Sequence, residues 1–112
     1  MAELLEKMIA ADVIVMATPV YFYTMCAQLK TLIDRTFSRY TEINNKEFYF
    51  ILTAADTSKR NMNRTVEGFR GFISCLNGAQ EKGIIYGTGA WESGDIKKLD
   101  AFTQSYQMGK NV

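Results

Sequence analysis

The chain contains no histidine. That absence removes Ser-His-Asp and Cys-His nucleophilic catalysis, and every imidazole-ligated metal site, in one step. It has only two cysteines, Cys26 and Cys75, too few for a four-thiolate zinc or iron–sulfur site within one chain. Each lies in an apolar helical pattern, so both are expected to be buried free thiols in a reducing cytoplasm. There is a single proline, Pro19. Long apolar runs are missing: a stretch such as Val13 to Ala17 falls far short of the ~20 residues a membrane span needs. The N-terminus sets Glu3 and Glu6 in an amphipathic pattern, without the basic-then-apolar order of a signal peptide. An excess of one charge is lacking too. The 13 basic and 12 acidic residues leave a net +1, and no basic stripe is laid out for nucleic acid.

What is present is an ordinary globular composition, 47 % hydrophobic and 22 % charged, at a length typical of one domain. A chain of this size buries roughly 65 % of its unfolded surface, enough for one core and not two.

Helix and strand patterns alternate along that length. Leu4, Leu5, Met8 and Ile9 recur at helical spacing, so a helix is predicted over Ala2 to Ala11. The run Val13 to Ala17 is apolar on both faces and β-branched, which fits a parallel strand covered by helices on each side. Met25, Cys26, Leu29, Leu32, Ile33, Phe37 and Tyr40 form the clearest helical stripe, with Thr24 as its expected N-cap. A second buried strand follows over Phe48 to Thr53. Val66, Phe69, Ile73 and Leu76 mark another helix, expected to close at Asn77-Gly78. A short third strand runs from Gly83 to Tyr86. Ile96, Leu99, Phe102 and Tyr106 mark a last helix, capped by Ser93 or Asp95 and ended by Gly109. Alternation of this kind implies parallel strands with right-handed crossovers, an α/β sandwich.

Open parallel sheets bind ligands beyond the carboxyl ends of their strands. Three loops therefore matter: Thr18 to Thr24, Ala54 to Asn61 and Gly87 to Gly94. The first carries Pro19, which stiffens the turn and removes a donor, and then three aromatic rings, Tyr21, Phe22 and Tyr23. Aromatic faces beside free backbone amides suit a flat, polar heteroaromatic ligand. Equally, such rings can cover the sheet end or a subunit interface.

The stretch Ala11-Asp-Val-Ile-Val-Met-Ala-Thr-Pro-Val-Tyr-Phe22, followed by Ala27-Gln-Leu-Lys30 and Ile33-Asp-Arg35, resembles the signature of NAD(P)H-dependent FMN reductases and related multimeric flavodoxin-like proteins. Thr53-Ala-Ala55 and Gly83-Ile-Ile-Tyr-Gly-Thr-Gly-Ala-Trp91 resemble the same family less sharply. The resemblance implies a flavodoxin-like three-layer sandwich, with residues 1–112 as a partial domain of about three strands. It implies a cofactor, FMN, bordered by Thr18, Pro19, Val20, Tyr21 and Phe22, with Ala54, Ala55 and Asp56 at the same pocket. Gly87 to Trp91 falls at the adjacent strand end, although a lone Trp there also serves as packing. NAD(P)H is the implied electron donor, so flavin and nicotinamide are the expected partners, with neither nucleic acid nor membrane. The chemistry is hydride transfer from nicotinamide to flavin, carried by the cofactor, and lack of histidine is no objection to it.

Members of that family open with a strand and a Ser/Gly-rich loop at a helix N-terminus, where free N–H groups and the helix dipole hold the FMN phosphate. No such segment is found in this chain, and neither cysteine reproduces the compact cluster of its iron–sulfur relatives. The strand at Val13 to Ala17 would then be an edge, and an apolar edge invites pairing. A homodimer is the expectation. The alternative to a flavin oxidoreductase is a non-catalytic α/β interaction module of the same fold. A receiver-type phosphate domain would want an acidic cluster at the strand ends, and only Asp56 is suitably placed.

Overall fold

In the computed structural model, which describes residues 1–112, the apolar run beginning at Phe48 lies in the middle of a four-stranded sheet. The elements follow in the order α1 (Ala2–Ala10), β1 (Val13–Tyr21), β2 (Thr24–Met25), α2 (Ala27–Arg35), β3 (Glu47–Ala54), α3 (Asn63–Ser74), β4 (Gln80–Thr88) and α4 (Asp100–Lys110). In space the strands run β2-β1-β3-β4. β3 is parallel to both β1 and β4, as the alternation predicts, while β2 is a two-residue antiparallel return beside the end of β1.

The period-two alternation of β3 decides the layering. Phe48, Phe50, Leu52 and Ala54 are buried on one face, in a single cluster with Met16 of β1, Leu5 and Met8 of α1, and Val66 and Phe69 of α3. Leu29, Leu32 and Ile33 of α2 pack against that cluster. Because the chain steps in one direction from β1 to β3 to β4, both crossover helices fall on the same face. The other face carries α4 alone, where Met108 lies against Gly83. Lys46 supports the start of β3 by donating its Nζ to the Ile9 carbonyl at the end of α1, at 2.6 Å.

Several expectations need correction. β1 does not stop at Ala17: it runs four residues further, so the first loop is a tight hairpin. Thr24 lies in β2 and caps nothing; Cys26 occupies the N-cap position of α2. The long stripe to Tyr40 breaks after Arg35 into short 3-10 turns at Thr36–Ser38 and Tyr40–Glu42. α3 ends at Ser74, three residues before Asn77, and Gly78 with φ 74° serves the turn into β4. Ile96 belongs to a separate 3-10 turn, Asp95–Lys98, and α4 starts later, with Leu99 rather than Ser93 or Asp95 at its N-cap. Gly109 lies inside α4 and does not end it. Cys75 is exposed and Cys26 half-buried: Cys75 sits just past the C-terminus of α3, where its neighbour Leu76, and not the thiol, turns into the core.

The outer side of β1 is paired only at Val20 and Tyr21, so from Val13 to Pro19 it is a free edge. The side chain of Val15 there is 55 % exposed. No helix is long and apolar enough to cross a membrane.

Candidate functional site

The hairpin at the end of β1 forms the first wall. Its connection is two residues, Phe22 and Tyr23, with φ 49° and 69°. Positive φ at both central positions defines the primed turn whose twist suits a hairpin, a place usually taken by Asn-Gly. For an L-residue with a side chain, this left-handed conformation costs roughly 1–2 kcal/mol. Two aromatic residues are held there, and such strain persists where the surroundings over-determine it. Phe22 projects almost entirely into solvent, 98 % exposed, and Tyr21 is 60 % exposed.

Thr18 stands beneath this wall. It is buried; its hydroxyl donates to the Pro19 carbonyl at 2.7 Å and accepts the Cys26 amide at 2.9 Å. That bond closes the hairpin where α2 begins. The Thr18 hydroxyl, helped by the amides at the start of α2, also draws the Cys26 thiol below the ordinary cysteine range.

The second wall is the loop after β3. Asp56 organises it: one carboxylate oxygen accepts the Ser58 amide and the other the Asn61 side-chain amide, both at 2.7 Å. These two bonds, the Ser58 amide first, hold the Asp56 carboxyl below its usual range. The third wall follows β4 and is tied to the second. Gly89 donates its amide to the Asp56 carbonyl at 3.0 Å, and Ala90 donates to the Ala54 carbonyl at 2.8 Å. Trp91, 79 % exposed, is held at the rim by that second bond.

Between these walls the parallel pairing of β1 and β3 ends, at Pro19 opposite Thr53. A cleft of 400 Å³ opens there, bounded by Pro19, Val20, Tyr21 and Phe22, by Thr53, Ala54 and Ala55, and by Ala90 and Trp91. This is within the roughly 300–1,000 Å³ of small-molecule sites. A 160 Å³ hollow adjoins it, sharing Val20, Phe22, Ala54 and Ala55 and adding Tyr23, Asp56, Asn61 and Met62. None of the hydrogen bonds within the chain uses the amide N–H of Phe22, Tyr23, Ala55 or Thr57. The cleft is thus a slot of apolar and aromatic surface in which two lining residues, Phe22 and Ala55, keep unused backbone donors, and Tyr23 does so in the adjoining hollow. It offers stacking and edge hydrogen bonds, and no carboxylate: Asp56 lies in the adjoining hollow with both oxygens engaged. Another hollow, between α2 and the end of α3 near Phe37 and Cys75, includes no strand-end residue.

Of the residues singled out in the sequence, Pro19, Val20, Tyr21, Phe22, Ala54 and Ala55 meet in the main cleft. Asp56 lies in the adjoining hollow through its loop. Thr18 reaches neither lining and lies underneath as a support. Sequence reasoning passed over Thr53 and Met62, named Asn61 only as the end of a loop, and reached Ala90 only as part of the segment Gly87 to Trp91. The strand-end position of Gly87 to Trp91 was the one available signal for Ala90 and Trp91.

Fold and site together define an open-sheet α/β protein with a ligand cleft at the carboxyl edge of its parallel strands. A family model described as NADPH-dependent FMN reductase matches residues 1–88. The chain belongs to the NADPH-dependent FMN reductase family. It is similar to the FMN-dependent NADH:quinone oxidoreductase 2 of Pseudomonas aeruginosa, at 34 % identity in an alignment of 105 positions that covers 76 % of this chain and 51 % of the relative. The chain therefore spans about half the length of that relative. Among solved structures it resembles the Trp repressor binding protein from Bacillus subtilis, with a TM-score of 0.79 and 23 % identity over 88 % of this chain and 68 % of that one. It also resembles an NADPH-quinone reductase from P. pentosaceus, with a TM-score of 0.69 and 17 % identity over 94 % of this chain and 72 % of that one. At these identities the structural likeness shows the fold, which is flavodoxin-like.

Proposed function

We propose that this chain carries the ring-binding part of an FMN-dependent NAD(P)H oxidoreductase. The observation that supports this most directly is the aromatic cleft at the strand ends, whose lining residues Phe22 and Ala55 have unused amides. Its apolar lining fits a flat heteroaromatic ring whose edge needs hydrogen-bond donors. FMN, when bound, supplies the two-electron chemistry between a nicotinamide and an acceptor, which in the Pseudomonas relative is by its name a quinone. The residues of this chain hold and orient. Pro19 stiffens the lip, Tyr21, Phe22 and Trp91 exclude water from the ring faces, and the amides align the ring edge. Free thiols at Cys26 and Cys75 accord with a reducing, cytoplasmic location.

Trp91 is the sole tryptophan, and this makes the test direct. Titration with FMN should quench its emission to saturation, and purified protein should be yellow. Lumiflavin, which has the ring without the phosphate, should compete with FMN. A colourless protein whose tryptophan emission ignores both compounds would remove the flavin reading.

The free edge of β1 favours a second reading, an α/β interaction module. We propose a two-fold homodimer in either case, covering that edge and Val15, since apolar edges rarely stay open. A sedimentation result showing only monomer at micromolar concentration would count against the dimer. A colourless dimer would favour the module over the oxidoreductase.

A further inference from the structure

We infer that the first two turns of α3 set the position of the aromatic hairpin, with Thr65 as the positioning residue. The functional consequence rests on the flavin reading above; the structural one does not.

The hairpin has little pairing of its own. β2 is two residues long and makes two pairings with β1, fewer than a hairpin needs to be stable by itself in water; its far end is tied by the Cys26 amide to Thr18. Its turn carries two aromatic residues in the left-handed region, each with a conformational cost that a relaxed loop would shed. The sheet holds β1 and Thr18 holds Cys26, which leaves the turn between them to be held from outside.

Three contacts from one stretch of α3 do so. Thr65, fully buried, donates its hydroxyl to the Tyr23 carbonyl at 3.3 Å. The Arg64 guanidinium lies over the Tyr23 ring, 5.7 Å from its centroid, a cation–π arrangement. Gly68 leaves room for Met25: a Cβ at that position would stand 3.1 Å from the Met25 methyl. Tyr23 and Met25 flank Thr24, so the contacts grip the returning strand on both sides of it. None of Arg64, Thr65 and Gly68 lines the cleft or the adjoining hollow. They act through the hairpin, and α3 is itself fixed to the sheet by the Phe69–Phe50 stack.

Of the three, the Thr65 bond is the specific one. Its loss leaves a backbone carbonyl without a partner at the point where the chain is strained. Thr65→Val keeps the shape and removes the donor; Thr65→Ser keeps the donor. In the unliganded protein, hydrogen exchange at the Thr24 and Cys26 amides should speed up by about tenfold in Thr65→Val, with core amides of β3 unchanged. Thr65→Ser should restore wild-type exchange. The affinities for FMN and for lumiflavin should each fall about fivefold in Thr65→Val and recover in Thr65→Ser. Unchanged hairpin exchange would overturn the inference, and so would equal acceleration of every amide, since that reports lost stability and no positioning. If wild-type protein binds no flavin, the proposed function fails while the exchange comparison still decides the role of Thr65.

Discussion

The ring of Phe69 on α3 stacks on the ring of Phe50 on β3, with centroids 4.6 Å apart and planes 10° from parallel. Both residues are fully buried. This pair fastens the helix that supports the hairpin to the strand that floors the cleft. Phe69→Ala should cost about 3–5 kcal/mol of stability, and Phe69→Leu less than about 2 kcal/mol. Urea unfolding followed by circular dichroism measures both. A loss under about 1 kcal/mol for Phe69→Ala would mean that the site collapses around the void and that the stack fixes nothing.

Gly87 lies where β4 passes Leu52 of β3. A Cβ there would be 3.1 Å from the Leu52 carbonyl oxygen and 2.7 Å from the Ile96 side-chain terminus. The Ile96 methyl can swing aside, but the Leu52 backbone cannot. Gly87→Ala should therefore destabilise by about 1–3 kcal/mol, as overpacking does. Thermal unfolding of the variant checks this, and an unchanged midpoint would contradict it.

Phe22 occupies φ 49° with its ring in solvent. Phe22→Ala and Phe22→Gly both delete the ring, but only glycine is relaxed in that conformation. The glycine variant should be the more stable by about 1 kcal/mol, the reverse of the order found within a helix or strand. Both should bind flavin more weakly than wild type. Equal stability of the pair would show that the turn is not strained.

Asp56 gives the loop after β3 a pH dependence. Its folded-state pKa is lowered, first by the Ser58 amide and then by Asn61. A lowered carboxylate stabilises the fold at pH above its unfolded value, and that contribution disappears as pH falls through the folded value. The window therefore begins near the ordinary aspartate range of about 3.9 and extends below it. The stability gap between wild type and Asp56→Ala should be constant from pH 5 to 7, taken as roughly one unit or more above that range, and should narrow under stronger acid. A gap that persists unchanged through the acid range would sink the assignment.

Much of the architecture was legible because it rests on periodicity. Glu47–Ala54 alternates in burial along its whole length, and the stripe Val66, Phe69 and Ile73 reports one helix face. Boundaries were less legible. β1 passes through Thr18, Pro19, Val20 and Tyr21, where proline and three adjacent aromatics read locally as a loop. Nothing within that segment reveals that Thr24 and Met25 return beside it, because a primed turn built from Phe-Tyr lacks the usual Asn-Gly sign. Six of the eight residues named for the cleft meet in it because strand ends follow from strand order. Thr18 stays out of the lining because its side chain alternates inward.

The residues by themselves determined an α/β chain with parallel strands, no imidazole or multi-thiolate chemistry, and an aromatic cluster at one strand end. They did so because apolar spacing dictates which face of each element is buried, and because missing residue types exclude chemistry without reference to geometry. The tertiary structure alone decided that Asp56 is spent on its own loop, that Ala90 and Trp91 close the cleft, and that Arg64, Thr65 and Gly68 brace a hairpin some forty residues earlier in the chain. Those are contacts between segments far apart in sequence, set by how helices settle on the sheet, and no local pattern records them.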